Sequence, residues 1–597
     1  MRLLRNLRLT AATVFEHLGD DPVLLILQIS RRLPQTYVGN AAAVAAKIVP
    51  GPVVAALAAH LQGFPIPTGD RHPGDRPRSL ATAWRSGTPG DRPRSLATAW
   101  RSGNQSARLA DIALAAGDTI QADALLEHAG AAPATRARRR WYDGDMTGAV
   151  AELRSAGLTA RANRVESELR VFEGWTPQLA RADGYEPREN TVLHVLTNSL
   201  PHTGSGYAQR SHSILKAQHK LGWTVHAATR LGYPVQVGKL LADDVDVLDG
   251  VTYHRLIPDR MMSGFDERLQ QQASELLALA FRLRPSVLHT TTHFVNGLVV
   301  RKVARALGIP WVYEVRGQLA DTWASTRNDA AKSSERYKLF SEREADATES
   351  AALVVTLGEA MKQQILRAGD ARGDVLLCPN AVGDEFLDEP MDSRAARNLL
   401  GLSANGVFIG TVSSMVEYEG LDNLLRAFAL LALDHSSLHC LMVGGGSAAP
   451  ALMRLARELG IEGRVTFTGR VPREQAHLYH QALDIFVVPR KDLDVTRTVT
   501  PLKPVEAMAC ARPVVASDLP ALREIVEDGL TGTLVAPGSV EALASAVAGL
   551  IDDDGARLTP AAVSMGATGR RKVMVERTWT RSAEAVLGAY AGLGHAF

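Results

Sequence analysis

Only three cysteines occur in 597 residues, and Cys378, Cys440 and Cys510 stand too far apart to share metal-ligand spacing. His435 and His439 lie beside Cys440, but without a second cysteine they make too few ligands for a metal site. Three thiols also exclude a disulfide framework, which fits a reducing cytoplasm. Cys440 and Cys510 sit in apolar runs and read as small core residues. Charge of one sign is missing too. With 66 basic and 64 acidic residues the formal net charge is +2, which argues against a dedicated nucleic-acid binder. An uninterrupted apolar run is the third absence. A bilayer-spanning helix needs about 20 such residues, and the most apolar stretch, residues 40–61, is broken by Lys47, Pro50, Gly51 and Pro52. It reads as a buried helical pair. Residues 1–9 are basic but lack the apolar core and small-residue cleavage site of a signal peptide. Arg2, Arg5 and Arg8 alternate with leucines at helical spacing, so this segment either packs on its own domain or rests on an anionic membrane surface.

What is present is an ordinary globular composition, 46% hydrophobic and 22% charged, in a chain longer than one core supports. Residues 1–188 are rich in alanine, leucine and arginine and poor in β-branched alternation. Segments 109–117, 122–129 and 148–157 read as short helices punctuated by glycine, an α-helical accessory region able to dock a protein partner. Small residues at the helix crossings are reminiscent of helical-hairpin repeats, but the period is too irregular to assign one. Inside this region residues 73–87 recur identically at 89–103, with Thr88 between. Identity over that length marks a recent duplication, and its Gly, Pro and Arg content predicts an exposed loop.

After Glu189 the pattern changes. Short apolar strands are predicted at 191–197, 224–229, 286–290, 310–315 and 352–356, with helical stretches between them. The alternation restarts at 407–411, 438–443, 465–467, 485–488 and 513–516. Strand–helix alternation occurring twice predicts an α/β fold of two doubly wound, Rossmann-like parallel sheets facing one another, with the cleft between them as the default site.

The first strand runs into Gly204-Ser-Gly206, where glycines let the backbone approach a ligand and a helix start offers N–H groups. Gln209 stands where a dinucleotide fingerprint needs its third glycine, so NAD binding loses ground. The stronger block is residues 488–516, a strand, a basic loop and a helix opening near Pro504. Lys491, Arg497 and Lys503 would surround a diphosphate, and Glu506 can accept bonds from the vicinal hydroxyls of a ribose. The competing reading has solvated arginines and a glutamate that merely favours a helix start, worth ~0.3–1 kcal/mol.

This block resembles the donor site of the retaining glycosyltransferases of family 4, which have the GT-B architecture. The resemblance rests on PVEAMACARPVV at 504–515, EIVEDGLTG at 524–532, VGGG at 443–446, VTFTGRV at 465–471 and PNAV at 379–382. It covers about residues 191–590. Segments YEG at 418–420, TPLKP at 500–504 and YEVRG at 313–317 are similar to a branch associated with exopolysaccharide and protein-sorting gene clusters. Departures are specific. Thr498 stands where the family has the first of two glutamates, and Ser414 and Glu419 replace its diphosphate-gripping Arg and Lys. Lys491, Arg497 and Lys503 are then the replacement cations.

The resemblance implies an acceptor domain at 189–383, a donor domain at 384–575 and a C-terminal helix, 576–597, crossing back to the first sheet. It implies a donor site containing Gly204, Gly206, Arg316, Ser414, Arg470, Lys491, Arg497, Thr498 and Leu502, with His293, Lys503 and Glu506 as catalytic residues. His289 competes with His293 for the place against the reacting sugar, and Arg316 either faces the cleft or pairs with Glu314. The expected activity is metal-independent retaining transfer of a hexosyl or N-acetylhexosaminyl group from a nucleotide sugar such as a UDP-sugar. The acceptor would be a glycan or lipid-linked molecule in cell-surface polysaccharide synthesis. The expected location is cytoplasmic, or peripheral on the inner face of the plasma membrane. No cofactor, no metal and no nucleic-acid partner are expected, although Asp143/Asp145, Asp244/Asp246 and Asp492/Asp494 are spaced as metal ligands could be. A nucleotide-sugar 2-epimerase and a non-catalytic nucleotide-sugar-binding scaffold are the alternatives.

Overall fold

The computed structural model describes residues 2–20, 52–61, 103–130, 132–368 and 375–593. The duplicated segment at 73–102 and residues 40–51 lie outside them. The chain divides into two compact units: residues 1–175 with 259–268 and 326–340, and residues 176–258, 269–325 and 341–597.

Every described element before residue 175 is a helix: α1 (Arg2–Asp20), α2 (Pro52–Leu61), α3 (Gly103–Ala116), α4 (Thr119–Glu127), α5 (Pro133–Asp143), α6 (Met146–Ser155) and α7 (Thr159–Phe172). Local chemistry sets the breaks. Asp118 accepts from Gln121 N at 2.9 Å to start α4, and Asp145 accepts from Gly148 N at 2.8 Å to start α6. The Asp143/Asp145 pair is thus the stop and start of adjacent helices rather than a ligand pair. Leu109, Ile112 and Leu125 form one core, and Ala137, Ala149, Leu153 and Ala162 let α5, α6 and α7 approach closely. Helix α1 buries Asn6 and Leu9, while Leu3, Leu4, Leu7 and Phe15 are exposed.

The second unit holds two sheets. The first comprises β1 (Arg188–Leu196), β2 (Thr224–Thr229), β3 (Val245–Leu248), β4 (Val251–Arg255), β5 (Pro285–Thr291), β6 (Trp311–Val315), β7 (Leu353–Thr356) and β8 (Val375–Leu377). Its order is β3-β4-β2-β1-β5-β6-β7-β8, parallel except for the β3–β4 pair. Helices α8 (Gly206–Lys220), α9 (Phe294–Leu307) and α10 (Glu359–Ala368) follow β1, β5 and β7. The second sheet comprises β9 (Val407–Val412), β10 (Leu438–Val443), β11 (Val465–Gly469), β12 (Ile485–Val488), β13 (Val514–Ser517) and β14 (Gly532–Val535). It is parallel throughout, in the order β11-β10-β9-β12-β13-β14. Around it lie α11 (Leu421–Asp434), α12 (Arg473–Ala482) and α13 (Lys503–Ala509). Strands β9, β12 and β13 are buried along their whole length, as parallel strands covered on both faces must be.

The last helix, α14 (Trp579–Leu593), returns to the first sheet: Trp579, Val586 and Tyr590 share a core with Val192, Val225 and Val355. Several side chains tie the sheet domains together, among them Asn380 and Glu524. Asn380 donates from Nδ2 to Thr500 O at 2.8 Å. The Glu524 carboxylate accepts from Glu359 N at 2.8 Å and Ala360 N at 2.7 Å, capping α10 from the other domain. Gly358 leaves room for this contact: a Cβ would lie 2.3 Å from Glu524 Oε2 and 2.8 Å from Thr500 Oγ1, and both side-chain ends would have to turn aside.

Candidate active site

In an open α/β sheet the strand order reverses at one place, and ligands bind in the crevice beyond the strand ends there. In the second sheet that place is between β9 and β12. The loops leaving these strands carry Ser414 and Glu419 on one side and Lys491, Arg497, Thr498 and Lys503 on the other. They are stitched together. Arg490 donates to Glu419 at 2.7 Å and to Val499 O at 2.9 Å, and Lys491 N donates to Tyr418 O at 3.0 Å. Gly420 has φ 68°, and a Cβ there would lie 1.9 Å from Pro489 O, so no other residue fits without displacing the loop.

The cations expected to replace the missing pair are not equivalent. Arg497 is half exposed and bound to Asp492 at 2.7 Å, which also engages one carboxylate of the Asp492/Asp494 pair. Lys491 Nζ lies 3.6 Å from Glu417 and 3.8 Å from Asp422. Lys503 opens α13, with its ammonium 3.1 Å from Glu506 Oε2 and its side chain 40% exposed. Glu506 is mostly buried. Burial pushes its carboxyl up, but Lys503 and then His480 outweigh this and hold it down at about 2. Behind it, the fully buried His480 places Nε2 3.3 Å from Glu506 Oε2.

The other expected donor residues make contacts within the protein. Thr498 turns its hydroxyl back to Asp494 O at 3.0 Å, and Leu502 packs against the core of the first sheet. Ser414 is exposed. Arg470, just past β11, lies over the loop after β10, its Cγ 3.2 Å from where a Cβ on Gly445 would stand.

On the first sheet the reversal falls between β1 and β5. Ser205 caps α8, accepting from Ala208 N at 3.3 Å, with Gly204 and Gly206 on either side. A Cβ on Gly206 would meet no protein atom, so the packing of the protein does not dictate glycine there. His293 lies past β5, half-buried. Its Nδ1 accepts from Val295 N at 3.3 Å, which caps α9 and leaves the proton on Nε2. His289 is instead a core residue, stacked on His194 with ring centroids 4.6 Å apart and bonded through Nδ1 to the Tyr590 hydroxyl. Arg316 takes the second of its two readings. It is buried, donates to Glu314 at 2.6 Å, to Ser211 Oγ at 2.8 Å and to Tyr207 O at 3.2 Å, and braces the start of α8. Arg210 reaches the other oxygen of Glu314 at 2.7 Å, and Asn380 at 3.0 Å. Burial pushes the Glu314 carboxyl up, but Arg316 and Arg210 outweigh it and hold it well below the usual range.

Sequence reasoning missed Arg490, His480, Asn380 as a bridge and Glu524 as a cap. Among the described residues no group of three or more His, Cys, Asp or Glu side chains could hold a metal ion, and no helix is long and apolar enough to cross a membrane.

Buried histidines give the fold a pH dependence. Burial lowers the pKa of His194, His289 and His480 below 6.5, so below that pH the unfolded chain binds more protons than the folded one and stability falls. Glu506 contributes stability that is complete above 4.5 and lost only as pH falls toward about 2. The melting temperature is therefore expected to decline between pH 6.5 and 5, before Glu506 titrates. Scanning fluorimetry measures this, and a melting temperature constant down to pH 5 would contradict it.

Residues 205–381 match the family described as glycosyl transferase 4-like domain, and residues 406–553 match glycosyl transferases group 1. With the two doubly wound sheets, these matches place the chain among the glycosyltransferases of GT-B fold, of the family 4 type. It is 34% identical over 211 residues to a GDP-mannose-dependent alpha-(1-6)-phosphatidylinositol monomannoside mannosyltransferase of Mycolicibacterium smegmatis; the match covers 35% of this chain and about half, 53%, of that protein. It is 28% identical over 430 residues to a D-inositol 3-phosphate glycosyltransferase of Mycolicibacterium paratuberculosis, covering 68% of this chain and 90% of the relative. Sucrose-phosphate synthase of Thermosynechococcus elongatus superposes with a TM-score of 0.56 at 21% identity, over 68% of this chain and 100% of that one. HepE of Anabaena, in complex with UDP, superposes with a TM-score of 0.53 at 16% identity over the same shares. Both structural likenesses concern the fold.

Proposed function

We propose that this glycosyltransferase moves a hexosyl or N-acetylhexosaminyl group, with retention, from a nucleoside-diphosphate sugar to a glycan or lipid-linked acceptor in cell-surface polysaccharide synthesis. The observation that carries the reading is Lys503 beside an ionised Glu506 at the reversal point of the second sheet. Glu506 accepts the ribose hydroxyls and Lys503 stabilises charge on the departing diphosphate. In retaining transfer the leaving phosphate oxygen assists deprotonation of the acceptor hydroxyl, so the protein orients the partners and stabilises the leaving group. His293 stands where the first sheet presents a side chain to the sugar. Relatives named for GDP-mannose and a fold neighbour holding UDP support a nucleotide donor of this kind.

The test is release of nucleotide from a panel of UDP-, GDP- and ADP-sugars, with candidate acceptors present and absent. Glu506→Gln should weaken donor binding and cut transfer at least ~10-fold, because a hydrogen bond to a charged group contributes roughly 1.5–3 kcal/mol. Wild-type kinetics in that variant would remove Glu506 from the site. Transfer should survive excess chelator, and loss restored by manganese or magnesium would instead make Asp492 and Asp494 ligands. Sugar-nucleotide binding without turnover would favour the scaffold, and release of free 2-epimerised sugar the epimerase.

A further inference from the structure

His480 lies among aromatic rings. It is fully buried, stacked on Phe486 with ring centroids 5.3 Å apart and planes 25° apart, and edged by Phe386 at 6.1 Å. Neither ring nitrogen has an aligned hydrogen-bond partner in the protein, and neither has Glu506 Oε2, which faces it at 3.3 Å. Buried polar atoms are rarely left so, and hydrogen bonds in active sites often align only once the substrate is bound. A buried imidazole with no aligned partner, its Nε2 facing the back of the proposed ribose-binding carboxylate, requires an explanation.

We infer that His480 is a positioning residue: its neutral imidazole holds Glu506 Oε2 from behind and leaves Oε1 for the vicinal diol of the nucleotide. Lys503 shares Oε2 at 3.1 Å in the protein without substrate, but its ammonium is partly exposed and is drawn to the diphosphate when the donor arrives. His480 then remains the donor that keeps Glu506 charged. The charged and titratable groups facing the ring are Glu506 and Lys503 from α13 and His477 from its own helix; burial keeps the imidazole neutral. Nothing in the amino-acid pattern of α12 singles His480 out.

The inference rests on the nucleotide-site reading of Glu506, and one titration separates the two. UDP, GDP and ADP are titrated by calorimetry into the full chain and its variants from pH 5 to 9. His480→Phe should weaken the nucleoside diphosphate that binds by about 10-fold at pH 7. It should also bring a new loss of affinity at the acid end, as Glu506 takes up a proton more readily. His480→Gln, which keeps an N–H donor, should restore most of the affinity and the flat profile. In a Glu506→Gln background, His480→Phe should add nothing. Equal losses with and without Glu506, or an unchanged pH profile, overturn the positioning role alone. Unchanged binding in Glu506→Gln, or wild-type protein that binds none of the three nucleotides, overturns the site reading together with it. If His480→Phe does not fold, His480→Leu, which also lacks a donor, takes its place under the same criteria.

Discussion

Replacing Lys503 by alanine is expected to reduce turnover by ~10²-fold or more, with a much smaller change in donor affinity, by analogy with loss of one oxyanion donor. The reason is where the positive charge stands: Lys503 opens α13 with its side chain 40% exposed, although its ammonium also pairs with Glu506 at 3.1 Å. Ser414 is neutral, and Glu419 is held by Arg490 at 2.7 Å, so that wall carries no net cation. Arg497 is bound to Asp492 on the surface, and Lys491 lies between Glu417 and Asp422. Helix α13, with Pro504 in its first turn, offers at most about half a positive charge at its start. Lys503 therefore meets the charge that grows on the leaving oxygen. Single-turnover and steady-state kinetics, with whichever nucleotide sugar the panel selects, separate the two effects. A kcat within about threefold of wild type, far less than loss of an oxyanion donor costs, would place the diphosphate elsewhere. Arg497→Ala should cost less, since its charge is already compensated. The pairing of Glu419 also limits how the family cations can be restored. Returning both family cations would set a lysine at 419 against Arg490, so Ser414→Arg alone is the variant expected to restore part of the activity in the Lys503→Ala background.

The second large effect is on stability. Glu314→Ala is expected to destabilise the sheet unit by about 3–5 kcal/mol, the cost of stripping the partner from buried charge. Glu314 is 3% exposed and receives Arg210 on one oxygen and Arg316 on the other, at 2.7 and 2.6 Å. Without it two guanidinium groups remain buried with no counter-charge. Glu314→Gln keeps one accepting oxygen and should cost less. Urea unfolding followed by tryptophan fluorescence and circular dichroism gives the comparison. Coincident wild-type and Glu314→Ala midpoints would show that water reaches these arginines.

Much of the fold was legible because parallel strands covered on both faces read as short apolar runs. Residues 224–229, 438–443 and 485–488 are the strands expected, and most others differ by a residue or two at the ends. The β8 and β14 strands, of three and four residues, are only partly buried and do not stand out as apolar runs. The β3–β4 hairpin did carry a signal: Asp249-Gly250 at its tip, both with positive φ, is the pair a tight hairpin favours. The candidate site was legible as an order of loops, because strand ends determine which segments meet. Its pairings were not. Arg490 finds Glu419 across 71 positions, and Arg210 finds Glu314 across 104. A run of basic residues reads the same whether each has an acid beside it or not, so Lys491, Arg497 and Lys503 looked alike until their neighbours were placed.

The contact of Gly358 with Glu524 and Thr500 makes one join between the sheets sensitive to a single methyl group. A Cβ there would sit 2.3 Å from Glu524 Oε2 and 2.8 Å from Thr500 Oγ1, so both side-chain ends would have to turn aside. That carboxylate is the group that accepts from Glu359 N and Ala360 N. Swinging it away would undo the latch that the second sheet places on the start of α10, so a methyl group at 358 acts as an unlatching key.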